Sequence, residues 1–160
     1  RIEVVIHPQS IVHSMVAYRD GTAMAQMGRP DMKAAIAYAL SCPERLPLGL
    51  SCPDFAELGR LVFQAPDFQK FPCLELAYDA CRAGGTMPAV LNAANEVAVA
   101  AFLDKRIGFE RIPAIIRGVM HRYTPVMEPN VDDVLEADRW ARQMAQSLSA
   151  EHDKDTGFTT

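Results

Sequence analysis

The apolar-rich runs Val12–Tyr18 and Ala23–Met27 flank an Asp20-Gly21 pair and are read as two strands with alternating faces. Asp-Gly between two alternating runs is the strongest short-range hairpin signal. With Asp20 and Gly21 central to a type I′ turn, the expected pairs are Arg19 with Thr22, Ala17 with Met24, Met15 with Gln26 and His13 with Gly28. Paired residues share a face. One face then carries Val12, Ser14, Val16, Tyr18, Ala23, Ala25 and Met27 as a packing surface. The other carries His13, Met15, Ala17, Met24 and Gln26, with His13 opposite a residue that has no side chain.

After the hairpin the period changes to that of a helix. Asp31 is the predicted N-cap of a helix from Met32 to about Leu40, with Met32, Ala35, Ile36 and Ala39 on one stripe and Pro43 as its stop. From Ser41 to Phe71, prolines 43, 47, 53 and 66 recur too closely for a long helix. This segment reads as an anchored linker, with Leu61–Phe63 a short strand.

The remainder has helical period. Pro72 opens a helix carrying Leu74, Ala77 and Cys81, and Gly84 and Gly85 end it. Val90, Leu91, Ala94, Val97, Ala98, Ala101 and Phe102 form the clearest buried stripe. A third helix carries Ile112, Ile115, Ile116, Val119 and Met120. A fourth opens at Asn130 with Asp132 and Asp133 in its first turn, and shows Val134, Ala137, Ala141, Met144 and Leu148. Four amphipathic helices with short connections close a bundle. The fold class is α+β: a hairpin, a linker and a C-terminal four-helix bundle. Residues 151–160 lack periodicity and read as a disordered tail.

Composition narrows the function classes. A formal charge of −4 over 160 residues, without clustered Lys or Arg, argues against a nucleic-acid surface. No stretch is apolar enough to span a membrane. Cys42, Cys52, Cys73 and Cys81 lack metal-ligand or C-x-x-C spacing and read as reduced cytosolic thiols.

The candidate chemistry is concentrated at the start. His13, beside the open Gly28 and a helix N-terminus, suits a polar or anionic ligand, although a strand histidine can equally be a packed, hydrogen-bonded one. Ser10 reads as a turn residue that could also donate to a ligand, and His7, held extended by Pro8, has the weaker claim. Asn92, Asn95 and Glu96 share a helix face. One carboxylate makes a poor hard-metal site, so they read as a polar lock between the bundle and the preceding domain.

Two long runs, IEVVIHPQSIVHSMVAYRDGTAMAQMGRPDMKAAIAYAL and the later VLNAANEVAVAAFL, resemble the corresponding segments of 1-deoxy-D-xylulose 5-phosphate reductoisomerases, in that family's order. The resemblance reaches from Ile2 to about Ala141. It implies that residues 1–63 are the C-terminal part of an α/β catalytic domain plus a connecting segment, and that residues 64–150 are the helical bundle. It places His13, of H-S-M, in the substrate pocket as the catalytic candidate. Ser10, of H-P-Q-S, falls near the phosphate, and Pro30 and Met32, of P-D-M, fall against substrate, with Met32 also near the nicotinamide. Ala35 stands where the family usually has proline.

The resemblance further implies a bacterial cytoplasmic homodimer acting on a small sugar phosphate with NADPH and Mg²⁺ or Mn²⁺. The family's dinucleotide domain, acidic metal ligands, tryptophan-bearing lid and Asn-Lys phosphate clamp precede H-P-Q-S, and none is in this sequence. The chain opens at Arg1 without an initiator methionine or signal peptide, so it reads as the C-terminal portion of such an enzyme, and neither cofactor is expected to bind it alone. The alternative is a non-catalytic hairpin-plus-bundle module for dimerisation or partner binding.

Overall fold

The computed structural model describes residues 2–151, apart from the side chain of residue 151. In order, the elements are β1 (Val12–Ala17), β2 (Ala23–Met27), α1 (Met32–Ser41), α2 (Phe55–Leu58), α3 (Cys73–Ala83), α4 (Met87–Leu103), α5 (Arg111–His121) and α6 (Val131–Glu151). The chain divides between Pro66 and Asp67 into two compact units. The residues expected to form a tail lie outside the described ones, except for the backbone of residue 151, which ends α6.

In the first unit the hairpin forms, but not in the expected register. Ala17 pairs with Ala23, Val16 with Met24, Met15 with Ala25 and Ser14 with Gln26. Tyr18 N–H donates to the Thr22 carbonyl at 2.9 Å, and Gly21 N–H donates to the Tyr18 carbonyl at 3.2 Å. The loop is therefore the three residues Arg19, Asp20 and Gly21, with Gly21 at φ +87°. Asp20 works through its side chain, whose Oδ1 accepts from Thr22 N–H at 2.9 Å and Thr22 Oγ1 at 2.7 Å. That Asx-type bonding favours the longer loop over the two-residue turn.

A slip of one residue moves side chains to the opposite face. Ala23 and Ala25 join Met15 and Ala17, whereas Met24 and Gln26 join Ser14, Val16 and Tyr18. The hydrogen bond from Tyr18 Oη to Met24 Sδ, at 3.4 Å, reflects that shared face. Beyond Ser14 the register shifts again, because Val12 pairs with Met27. His13 is thus the extra residue of a β-bulge and does not oppose Gly28, whose N–H instead donates to the Ile11 carbonyl at 2.9 Å.

Helix α1 begins where expected, with Asp31 Oδ1 accepting from Lys33 N–H at 2.8 Å. Its predicted apolar stripe is uncovered: Met32 is 70% exposed, Ile36 55%, and Ala35 and Ala39 are exposed as well. Among the described residues of this unit, only Pro53 is buried. A two-stranded sheet with the helix α1 and the single turn of α2 has too little surface to cover itself.

The linker carries a short helix that periodicity did not reveal, α2, capped by Asp54, which accepts from Ala56 N–H and Glu57 N–H. The expected strand Leu61–Phe63 is replaced by a bridge one residue later. Ile6 and Gln64 exchange both backbone hydrogen bonds at 2.9 Å.

The second unit is a four-helix bundle with a contiguous core, in which α4 packs on α3, α5 and α6. Val90, Ala93, Ala94, Ala98 and Ala101 of α4 are fully buried, as is Val119 of α5. The small side chains of α4 let its neighbours approach closely. Leu91, Val97 and Phe102 flank that stripe half-buried. All five apolar residues predicted for α5 are buried. In α3 the buried residues are Leu76 and Ala80, with Cys73 packed beside them, so the expected face of Leu74, Ala77 and Cys81 is rotated by one position. In α6 the buried line is Ala137, Ala141, Ala145 and Ser149, with Trp140, Met144 and Leu148 at its margins.

Asn130 opens α6 with a reciprocal cap: its Oδ1 accepts from Asp133 N–H at 3.0 Å, and Asp133 Oδ2 accepts from Asn130 N–H at 2.9 Å. The chain before α4 is stapled by Thr86, which is 1% exposed. Thr86 Oγ1 lies 2.9 Å from Tyr123 Oη and accepts from Val126 N–H at 3.0 Å.

Candidate functional site

The candidate residues gather at the open end of the hairpin, where three local devices meet. The first is the bend before β1. Ser10 N–H donates to the His7 carbonyl at 3.0 Å, and Ser10 sits at φ +52°, a left-handed conformation that costs a side-chain-bearing residue energy. The second is the bulge that displaces His13 from the ladder. Bulges re-aim side chains and recur next to active sites. The third is the capped start of α1, brought up by the backbone bond from Gly28 to Ile11, which returns the chain beside Ser10 just before Pro30, Asp31 and Met32. Pro30 fixes the approach to the helix, and the free N–H groups of its first turn favour negative charge.

Ser10, His13, Pro30 and Met32 are all exposed. A cleft of about 740 Å³ in this unit is lined by Ile11, Arg29, Pro30, Asp31, Leu50, Pro53, Asp54, Glu57 and Leu58. Pro30 is the one candidate in its wall; Ser10, His13 and Met32 stand outside it. The hairpin end therefore presents one rim of a site rather than a closed cavity.

His7 has a structural place. Its Nδ1 lies 2.7 Å from the Val62 carbonyl oxygen, which can only accept, so Nδ1 carries the proton. The ring stacks on Phe63 with centroids 4.7 Å apart and planes at 23°. The neighbouring Gln9 is a residue the sequence reading passed over. Its Nε2 donates to the Arg60 carbonyl at 2.6 Å, and its Oε1 accepts from Val62 N–H at 2.8 Å. Periodicity carries no signal for contacts between residues more than fifty positions apart; the one hint was a lone amide between a proline and a serine.

Two members of the polar group on α4, Asn92 and Glu96, tie into the bundle itself. Asn92 Nδ2 donates to Glu96 Oε1 at 3.0 Å, and Arg142 Nη2 of α6 donates to Glu96 Oε2 at 2.6 Å. Arg142 also grips Asp138 through Nε at 2.8 Å. The Arg142 guanidinium and the Asn92 amide hold the Glu96 carboxyl below the ordinary carboxylate range. All four cysteines are free thiols, and burial pushes the Cys73 thiol up, away from a reactive thiolate. Among the described residues, no three His, Cys, Asp or Glu side chains come together as metal ligands. Among them too, no helix is long and apolar enough to cross a membrane.

With this geometry in hand, the chain can be set beside solved structures. The chain superimposes on 1-deoxy-D-xylulose 5-phosphate reductoisomerase from Zymomonas mobilis in complex with NADPH, with a TM-score of 0.84 and 46% identity over 92% of this chain and 39% of that one. A DOX-P reductoisomerase in complex with NADPH, fosmidomycin and magnesium gives a TM-score of 0.85 and 40% identity over 94% of this chain and 39% of that one. The chain thus has the α+β fold of part of these reductoisomerases.

Sequence comparison narrows this to one family. A family model described as the DXP reductoisomerase C-terminal domain matches residues 27–144. The 1-deoxy-D-xylulose 5-phosphate reductoisomerase of Desulfosudis oleivorans is 59% identical over 92% of this chain and 38% of its own length. That of Chlorobium phaeobacteroides is 56% identical over 93% and 39%. The chain belongs to the 1-deoxy-D-xylulose 5-phosphate reductoisomerase family, and it spans about two fifths of the length of the relatives it matches. These relatives do not favour the non-catalytic interaction module.

Proposed function

We propose that this chain is the substrate-rim and C-terminal bundle portion of an enzyme that rearranges 1-deoxy-D-xylulose 5-phosphate and reduces the product with NADPH to 2-C-methyl-D-erythritol 4-phosphate, for isoprenoid synthesis. Family membership over nearly the whole chain is the observation that carries this reading. The uncovered apolar surface of the first unit supports assigning residues 1–63 to a larger catalytic domain and 64–150 to the bundle, since Val16, Met24, Met32 and Ile36 need a cover. A bacterial cytoplasmic homodimer completes the proposal.

Ser10 donates a hydroxyl hydrogen bond to the substrate phosphate. His13, standing out from the ladder at its bulge, supplies a positioned hydrogen bond to a substrate oxygen. Pro30 sets the direction of α1, and Met32 forms an apolar wall that keeps water from the reducing centre. Binding energy taken from the phosphate helps the rest of the substrate reach its reactive geometry. NADPH supplies a hydride when bound. Among the described residues no three His, Cys, Asp or Glu side chains come together as ligands for a divalent metal, and no step through one is assigned to this chain.

The test compares wild type with His13→Ala and Met32→Ala in the full-length protein encoded by the reading frame that contains this chain. NADPH oxidation dependent on the sugar phosphate and Mg²⁺ is measured, with circular dichroism as the folding check. Loss of turnover or a sharply raised KM in folded variants is expected. Wild-type kinetics in both would remove the site assignment, and an inactive wild type would remove the function.

A further inference from the structure

We propose that Gln9 is a positioning residue that sets the Ser10 hydroxyl for the substrate phosphate, using the backbone of residues 60–64 as its template. This rests on the substrate-site reading above and extends it to residues that reading does not include.

The Gln9 amide donates to the carbonyl of Arg60 at 2.6 Å and accepts from the N–H of Val62 at 2.8 Å. A donation to one residue and an acceptance from the next but one is the bonding a strand residue makes across a parallel ladder. The side chain therefore serves Leu61 as a substitute strand partner. Two further attachments flank it: the His7 ring bonds the Val62 carbonyl and stacks on Phe63, and Ile6 exchanges both backbone bonds with Gln64. Residues 6–9 are thereby tied along residues 60–64.

Ser10 follows directly, at φ +52°. Glycine would take this conformation without strain; serine takes it at a cost and brings a hydroxyl with it. Strained conformations persist only where the surroundings over-determine them, and Gln9 is the last anchor before the strained residue. The clamp thus fixes the backbone on which the Ser10 hydroxyl is carried.

The experiment uses the same full-length protein, with Ser10→Ala, Gln9→Ala, Gln9→Glu and the Ser10→Ala/Gln9→Ala double variant, and measures KM separately for the sugar phosphate and for NADPH. Loss of a positioned hydrogen bond is expected to raise KM for the sugar phosphate about tenfold in Gln9→Ala, leaving KM for NADPH unchanged. Gln9→Glu, which keeps the acceptor for Val62 N–H, should fall between, and decides the matter if Gln9→Ala fails to fold. Because Gln9 acts through Ser10, the double variant should be no worse than Ser10→Ala alone; a merely structural loss would multiply the two effects. Multiplying effects, or an unchanged KM in the Gln9 variants beside a raised one in Ser10→Ala, would overturn the proposal alone. An unchanged KM in Ser10→Ala would overturn the phosphate-site reading as well.

Discussion

Gly85 joins α3 to α4 at φ +54°, and a Cβ there would lie 2.2 Å from the Val126 carbonyl oxygen and 3.2 Å from Met127 Sδ. Gly85→Ala therefore brings two costs. The left-handed backbone costs an alanine about 1–2 kcal/mol relative to glycine. The carbonyl must also retreat, which breaks the bond it accepts from Thr86 N–H at 3.1 Å and pulls Val126 N–H from Thr86 Oγ1 at 3.0 Å. Each such bond contributes about 0.5–1.5 kcal/mol, and Thr86 is too buried to find water instead. The expected loss is roughly 2–5 kcal/mol, large for a point substitution. Trp140, the one tryptophan in the sequence, reports on this region, because its ring centroid is 4.9 Å from that of Tyr123, whose hydroxyl meets Thr86. In urea unfolding followed by Trp140 fluorescence, the midpoint should drop by roughly 1–2 M at an ordinary m-value. Gly108→Ala, in the same unit with open space around it and no positive φ, should leave the midpoint nearly unchanged. Equal midpoints for the two variants would refute the close-approach argument.

Two further predictions concern the bundle. Ile115, 1% exposed at the centre of the core, should cost about 2–5 kcal/mol when truncated to alanine, read by the same fluorescence; a loss under about 1 kcal/mol would mean that the core relaxes around it. Glu96→Gln tests the lock to Arg142 through pH. The carboxyl is held below its ordinary range, so the stability it contributes is fully present above the unfolded carboxylate pKa of about 4.3 and is lost as pH falls through the depressed folded value. The midpoint gap between wild type and Glu96→Gln should thus be flat from neutral pH to about pH 5 and close on further acidification. A gap that widens in acid would contradict the assignment.

Several features of this protein were legible in its sequence because they are local. Caps at Asp31 and Asn130, the 3.6-residue period of α4 and α5, and the Asp-Gly hairpin each depend on residues within one or two turns of chain, and two long runs in the family's order were enough to mark the family. Tertiary structure decided everything that required choosing between nearly equal local solutions. The hairpin loop is an exception, since Asp-Gly is compatible with two-residue and three-residue loops and the local Asp20–Thr22 bonding, which alternation does not register, goes with the longer; the slip then reassigns the faces of β2. The bulge at His13 absorbs a second register change that no alternation pattern encodes. The buried line of α3 falls on Leu76 and Ala80 because α3 packs against α4 and α5 along that line, although the α3 sequence offers neighbouring apolar positions on either side. The ties from residues 6–9 to residues 60–64 join segments more than fifty residues apart, through a side-chain amide and an imidazole, whose bonding has no period at all.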